Sequence, residues 1–387
     1  MRNIILCDDK TVGAQLLPLT FTRPVSEILC GAMTVRERWQ RLLPGLYSYD
    51  TADYLQEKYP ATVTGDDDLS IASHIIPDGN IACAAAALQQ GQALVLADGT
   101  VAAWCGDRSK AKPVPYTAEP NMIRHLHDIF TLNHTQIASD FDIITDGRKS
   151  QALSDSCTVI GPRESIFIEE GATVEGAFLN TTNGPIYIGA HAEVMEGSCL
   201  RGPIAIMDHA AVNMGSKVYG GTTIGAYSKI GGEVNNVVMH PYSNKAHDGF
   251  LGNAVIGSWC NLGAGCVASN LKNDYTEIKL WDYSKRRFLR TGLQFCGLIM
   301  GDHSKAGINT MFNTATVVGV GVNIHGTGFP RNFVASFTEG SAAGFADVPQ
   351  SKFFQIAERV MARRNVELTD ADRRLYATLY EITETYK

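Results

Sequence analysis

The stretch that decides the fold is Gly184–Ile230, GPIYIGAHAEVMEGSCLRGPIAIMDHAAVNMGSKVYGGTTIGAYSKI. Every sixth residue from Ile188 is aliphatic: Ile188, Val194, Leu200, Ile206, Val212, Val218, Ile224 and Ile230. The step recurs at Ile256, Leu262 and Ala268, and again at Met300, Ala306, Phe312, Val318 and Ile324. A period of six fits neither an amphipathic helix, at about 3.6, nor an alternating strand, at about 2. It is the hexapeptide signature of a β-helix, in which each hexad gives one short strand and one turn. Three hexads close a triangular coil of about 18 residues, with the aliphatic residue pointing inward. Glycine follows at Ile188, Ile224, Ile230, Ile256, Leu262 and Val318, where a corner must turn tightly.

Around that stretch, the chain of 387 residues is long enough for two or three domains. A net charge of −7 excludes a general basic field for nucleic acid. No apolar run is long enough for a membrane span. The opening MRNIILCDDK is not a secretory signal, because two acids follow its short apolar run. Nine cysteines without a CxxC pair read as reduced thiols, so a cytoplasmic protein is expected.

Residues 1–150 lack the six-residue period and read as a small α/β domain. Asn3–Cys7 is expected as a buried strand, Val25–Leu43 as a helix stopped by Pro44-Gly45, and Ile81–Leu88 and Asn121–Leu132 as helices. Ala93–Ala97 and Thr100–Trp104 read as a hairpin turning at Asp98-Gly99. Residues 155–335 are the β-helix, with an excursion of two strands between Ser269 and Phe295. Residues 350–387 are helical, opened in part by the capping box Thr369-x-x-Asp372, and are expected to seal the open end of the prism.

The N-terminal part resembles the start of sugar nucleotidyltransferases. Leu17-Pro18-Leu19-Thr20 matches their P-L-T element, Gly13-Ala14-Gln15 stands where Gly-Thr-Arg is usual, and Arg23-Pro24 stands near their Lys-Pro. The resemblance implies a phosphate-cradling loop, with Gly13 and Arg23 as nucleotide-binding candidates and Mg²⁺ needed only if the domain is active. One glycine where the family has several implies reduced activity. Asp98 is either a counterpart of the metal-binding aspartate or simply the turn residue of its hairpin, and the turn is the better reading.

The regular pattern breaks after Val234, and there the chain reads Asn244-Lys245-Ala246-His247, then Phe250-Leu251-Gly252-Asn253, Asn261-Leu262-Gly263-Ala264-Gly265 and Ser269-Asn270. These blocks resemble the acetyltransferase domain of the bifunctional N-acetylglucosamine-1-phosphate uridyltransferase/glucosamine-1-phosphate acetyltransferase family. The whole chain is similar to a variant of that family with a shortened first domain and a helical tail. The resemblance implies a left-handed parallel β-helix that assembles as a homotrimer, with acetyl-CoA as co-substrate and an amino-sugar 1-phosphate as acceptor. It places His247 on the catalytic histidine, a general base for the sugar amine. Asn261 and Asn270 fall on asparagines lining the site, Phe250 replaces a tyrosine, and Lys245 belongs to the same block. Gly263, Ala264 and Gly265 form the corner that meets the thioester. Lys217 and Asn235, a coil apart, fall on residues that bind the sugar phosphate.

Each of these residues has a plainer reading. Lys217 is an outward charge, or Asn261 and Asn270 are corner asparagines whose amides stack coil on coil. A metal enzyme on this scaffold needs three histidines; His240 and His247 offer two, and no metal site is expected. A nucleotidyltransferase acting through the first domain, or a silent sugar-nucleotide scaffold, are the alternatives to the acetyltransferase.

Overall fold

A computed structural model describes residues 2–65 and 67–387. The chain divides into two compact units. One holds Met1–Ile28 and Met33–Asp128, the other Leu29–Ala32 and Ile129–Lys387. The early tetrapeptide joins the second unit through hydrogen bonds. Gly31 N donates to Asn133 Oδ1 at 2.6 Å, Ala32 N donates to Asp140 Oδ2 at 2.7 Å, and Thr223 Oγ1 donates to Gly31 O at 2.8 Å.

The first unit is a six-stranded sheet of β1 (Asn3–Cys7), β2 (Leu46–Asp50), β3 (Leu69–Ala72), β4 (Gln92–Leu96), β5 (Val101–Cys105) and β6 (Lys112–Tyr116). The strand order is β2-β1-β3-β5-β4-β6. It carries the short helices α1 (Lys10–Gln15), α2 (Val35–Leu42) and α3 (Gly79–Ala86). The hairpin at Asp98-Gly99 forms as expected, with Gly99 at φ 84°. The helix expected over Val25–Leu43 is confined to α2. Its start is set by a capping box between Thr34 and Glu37, and Gly31 upstream sits at φ 86°. The helix expected over Asn121–Leu132 is α4 (Leu126–Thr145), which starts later and runs on to Gly147 at φ 67°.

In the second unit the hexads form a parallel β-helix. Ile168, Ile188, Ile206, Ile224, Met239, Ile256, Met300, Val318 and Val334 pair rung on rung, and each is at most 2% exposed. Burying each such side chain stabilises the fold by about 1.5–3 kcal/mol. A second inward column runs Val174, Val194, Val212, Ile230 and then Lys245. Rungs are not uniform. Lys217 pairs with Glu233 rather than with Asn235, because the coil there is two residues short of eighteen.

One corner carries a column of aromatic side chains at left-handed backbone positions: His191, His209, Tyr227, Tyr242, Trp259 and His303. Their rings stack with centroids 4.1 to 6.0 Å apart. The excursion is the antiparallel pair Lys279–Asp282 and Arg287–Arg290, and its Trp281 stacks on Phe333 at 4.2 Å.

The tail forms α5 (Gln350–Ala362) and α6 (Asp370–Glu384), the latter with the expected capping box. It lies elsewhere than on the open end. The last rung of the ten-stranded face is closed by an antiparallel hairpin, Thr338–Ser341 with Gly344–Asp347. The helices run along the flank instead. Phe353 near the start of α5 packs on Phe337, and Arg364 just beyond its end donates to Asn244 Oδ1 at 3.1 Å. Four rungs at about 4.8 Å each match a helix of 13 residues at about 1.5 Å per residue.

Candidate functional site

The corner after Asn244–Lys245 carries His247, an exposed residue whose backbone is held from inside the coil. Lys245 Nζ donates to Gly231 O at 2.8 Å and to His247 O at 2.7 Å. Asn213 Nδ2 donates to Ala246 O at 2.7 Å. Lys245 is 1% exposed, and burial pushes its ammonium down to about 8. The side chain expected to bind substrate is therefore turned into the prism, where an aliphatic residue sits on other rungs.

The corner of the next rung is Gly263-Ala264-Gly265, joined to the first by Gly265 N donating to Asp248 O at 3.0 Å. A Cβ on Gly263 would come 2.8 Å from the Gly307 backbone, so the coils approach closely there. The N–H groups of Gly263, Gly265 and Cys266 already donate to Ala306, Asp248 and Gly263 carbonyls. The Ala264 N–H has no partner among the described residues.

Lys217, Glu233 and Phe250 occupy successive outward positions of one face, three rungs that lead to the His247 corner. Asn235 sits on the same strand as Glu233 and pairs with Gly252. Asn261 lies apart from this group, whereas Asn270 comes up beside Phe250 over Gly252, where a Cβ would meet Phe250 Cζ at 2.6 Å and Asn270 Nδ2 at 2.7 Å. Asn270 Nδ2 donates to Asn253 Oδ1 at 2.8 Å, and Asn253 Nδ2 donates at 3.0 Å to Asn236 once that amide is turned to satisfy its neighbours. Asn236, Asn253 and Asn270 thus stack coil on coil. Asn261 faces outward on the ten-stranded side, where its strand pairs with Asn244 and Lys305.

The first unit has a cleft of its own, of about 450 Å³. Asp8, Asp9, His74, Asp98, Arg108 and Arg124 line it, whereas Gly13 and Arg23 do not. Gly13 lies within α1, the helix that replaces a glycine-rich loop; Asp9 caps it by accepting from Thr11 N at 2.8 Å. Asp98 accepts from Arg124 Nη2 at 2.6 Å and from Thr100 N at 2.9 Å, and the Arg124 bond holds its carboxyl well below the usual range. Burial pushes Asp8 up to about 6; its carboxylate accepts from Thr51 Oγ1 and Val25 N. His74 is 5% exposed with an unpartnered Nδ1, and burial holds it down to about 4. These carboxylates are taken up by hydrogen bonds and burial. A hard cation such as Mg²⁺ binds one or two carboxylates together with substrate phosphates, and Asp8, Asp9 and Asp98 are the carboxylates of this cleft. The two guanidiniums suit a phosphate. Nearby, His125, His127 and Asp128 bring three possible ligand atoms within 4.8 Å of one another. Asp128 already accepts from Arg124 N and His125 N. Arg108, Arg124 and His74 escaped the sequence reading, since they come from separate loops with no shared motif.

Residues 4–149 match the family described as sugar nucleotidyl transferase. The chain is similar to a bifunctional sugar-1-phosphate nucleotidylyltransferase/acetyltransferase of Sulfurisphaera tokodaii. The two are 34% identical over 144 residues, 37% of this chain and 35% of that protein. It is also similar to the bifunctional protein GlmU of Methanocaldococcus jannaschii, 31% identical over 87 residues, 22% of this chain and 21% of that one. The chain thus matches about a third and a fifth of the lengths of these relatives. Among solved structures, the Francisella novicida UDP-N-acetylglucosamine acyltransferase aligns with a TM-score of 0.24 and 14% identity, over 61% of this chain and 79% of that one. The family match and the two relatives bear out the resemblance read from the sequence.

Proposed function

We propose that the chain is a transferase of nucleotide-sugar biosynthesis whose β-helix acetylates an amino-sugar 1-phosphate from acetyl-CoA. The supporting observation is the pairing of two adjacent corners. One presents His247 on a backbone anchored by Lys245, and the other offers the Ala264 N–H. The neutral imidazole takes a proton from the sugar amine as that amine attacks the thioester carbonyl carbon, and the imidazolium then gives it to the departing thiolate. The Ala264 N–H meets the oxyanion as the C–N bond forms, and the C–S bond then breaks to release the thiolate. Lys217, on the same face, holds the sugar phosphate by a charge-assisted bond.

General-base catalysis is worth about 10²–10⁴-fold, so His247→Ala should lose that much in kcat. Its melting temperature should stay near wild type, because the residue is exposed. Lys217→Ala should mainly raise KM for the sugar phosphate. Full acetyl transfer by His247→Ala would remove the residue from the mechanism.

The match over residues 4–149 favours a second activity, nucleotidyl transfer to a sugar 1-phosphate in the first unit's cleft. There Arg108 and Arg124 take the place of the missing glycine-rich loop in meeting phosphates. Transfer from UTP or dTTP, assayed apart from acetyl transfer on one panel of sugar phosphates, tests it. Loss of that transfer in Arg124→Ala is the expected result.

A further inference from the structure

The flank of the β-helix that faces the end of α5 contains a cleft of about 630 Å³. Its floor is an outward column of the ten-stranded face, where Lys229, Asn244, Asn261, Lys305 and Asn323 follow one another in register. Arg363 and Arg364 close it from the tail. Four cations line the cleft and no acid does. The acid next in the column, Glu339, pairs with Asn323 in register and is already held by Lys352 Nζ at 2.7 Å.

Arginines past the end of a helix are favoured there by the helix dipole. That accounts for Arg363 and Arg364 but not for two lysines brought to the same space by the sheet. Lys305 is half-buried, and of its three N–H donors one goes to His303 O at 2.7 Å. Burial holds its ammonium down to about 8. A cation kept out of water without a carboxylate raises the energy of the empty cleft, and an anion offsets that cost. Lys229 and Lys305 are three rungs apart, about 14 Å at about 4.8 Å per rung. One phosphate cannot reach both ends. An extended ligand with more than one anionic group can, and the Asn244 and Asn261 amides between the lysines suit its neutral polar parts.

We propose that this cleft binds an organic diphosphate, laid along the Lys229–Lys305 column under Arg363 and Arg364. The site stands whether or not His247 acts as a base. Isothermal titration of the full chain with inorganic phosphate, pyrophosphate, UDP and coenzyme A tests it. A diphosphate should bind at least tenfold more tightly than inorganic phosphate, and increasingly weakly as salt rises. UDP and coenzyme A carry the same group, so whichever of them exceeds pyrophosphate names its source. Lys229→Gln with Arg363→Gln, both at exposed positions, should weaken binding at least tenfold at an unchanged melting temperature. Lys305→Gln should weaken it further. Wild-type affinity in these variants, or no preference for diphosphate over phosphate, would overturn the proposal. So would loss of binding in Arg124→Ala, which would move the ligand to the first unit. Acetyl transfer measured on the same variants separates this result from the fate of His247.

Discussion

Lys245 fills a position that is aliphatic on neighbouring rungs, between Ile230 and Leu262, and is tolerated because its ammonium meets two backbone carbonyls. Burial holds its pKa at about 8, against about 10.4 for a free lysine. Below about 8 the folded and unfolded chains both carry the proton, and the fold bears the whole cost of the buried charge. Between about 8 and 10.4 the unfolded chain binds more protons, so rising pH favours the folded state. Lys245→Met removes this contribution. The melting temperature of the wild type should therefore gain on that of Lys245→Met as pH rises through that window. Parallel curves would mean that the ammonium is not desolvated. Lys245→Met should also loosen the His247 corner and lower acetyl transfer, since the His247 carbonyl loses its donor.

The aromatic corner and the tail helices are one device. The stack that begins at His191 ends at His303, whose ring meets the edges of Phe353 and Tyr376 at 5.7 and 5.3 Å. Phe353 is 4% exposed and also packs on Phe337 and Tyr376. It is the anchor of α5. Truncating such a buried phenylalanine costs about 3–5 kcal/mol. In Phe353→Ala the loss should fall on the tail, because the β-helix rungs bury their own core without it. Hydrogen exchange should speed up across α5 and α6 while the amides of the coil stay protected. Uniformly faster exchange would show that the tail and the coil unfold as one unit.

At the scale of the molecule, the outward column Phe178, Cys199, Lys217, Glu233, Phe250, Val267 and Met311 leaves an apolar face. Phe178, Val267 and Met311 are 47, 37 and 36% exposed. Apolar groups grouped on one face mark an interaction surface. A homotrimer packed through this face would bring the Lys217 and His247 region against a neighbouring copy. Light scattering at micromolar concentration should give three times the chain mass of 41.9 kDa. Val267→Glu with Met311→Glu should give the monomer, and a monomeric wild type would end the proposal. No helix among the described residues is long and apolar enough to cross a membrane.

The six-residue period by itself determined the coil, because an inward aliphatic side chain on every strand is a local requirement repeated along the chain. Local turn and cap residues likewise carried the hairpin at Asp98-Gly99 and the capping box of α6, both of which depend on a few neighbouring residues. The aromatic stack emerged only from the structure, although its members stand three positions after Ile188, Ile206, Ile224, Met239, Ile256 and Met300, because it follows a corner rather than the inward column. Handedness of the coil came only with the family resemblance. Register was decided by the folded coil: a step two residues short of eighteen puts Glu233 beside Lys217, and one three residues short sets Lys245 on Ile230, turned inward. The grouping of Lys229 and Lys305 with Arg363 and Arg364 was likewise invisible, since these residues converge only when α5 lies along the flank. The same holds for Asp98 with Arg124 in the first unit. Spacing in sequence reports what repeats along one rung, whereas charge meeting charge across rungs or loops depends on closures that only the tertiary structure makes.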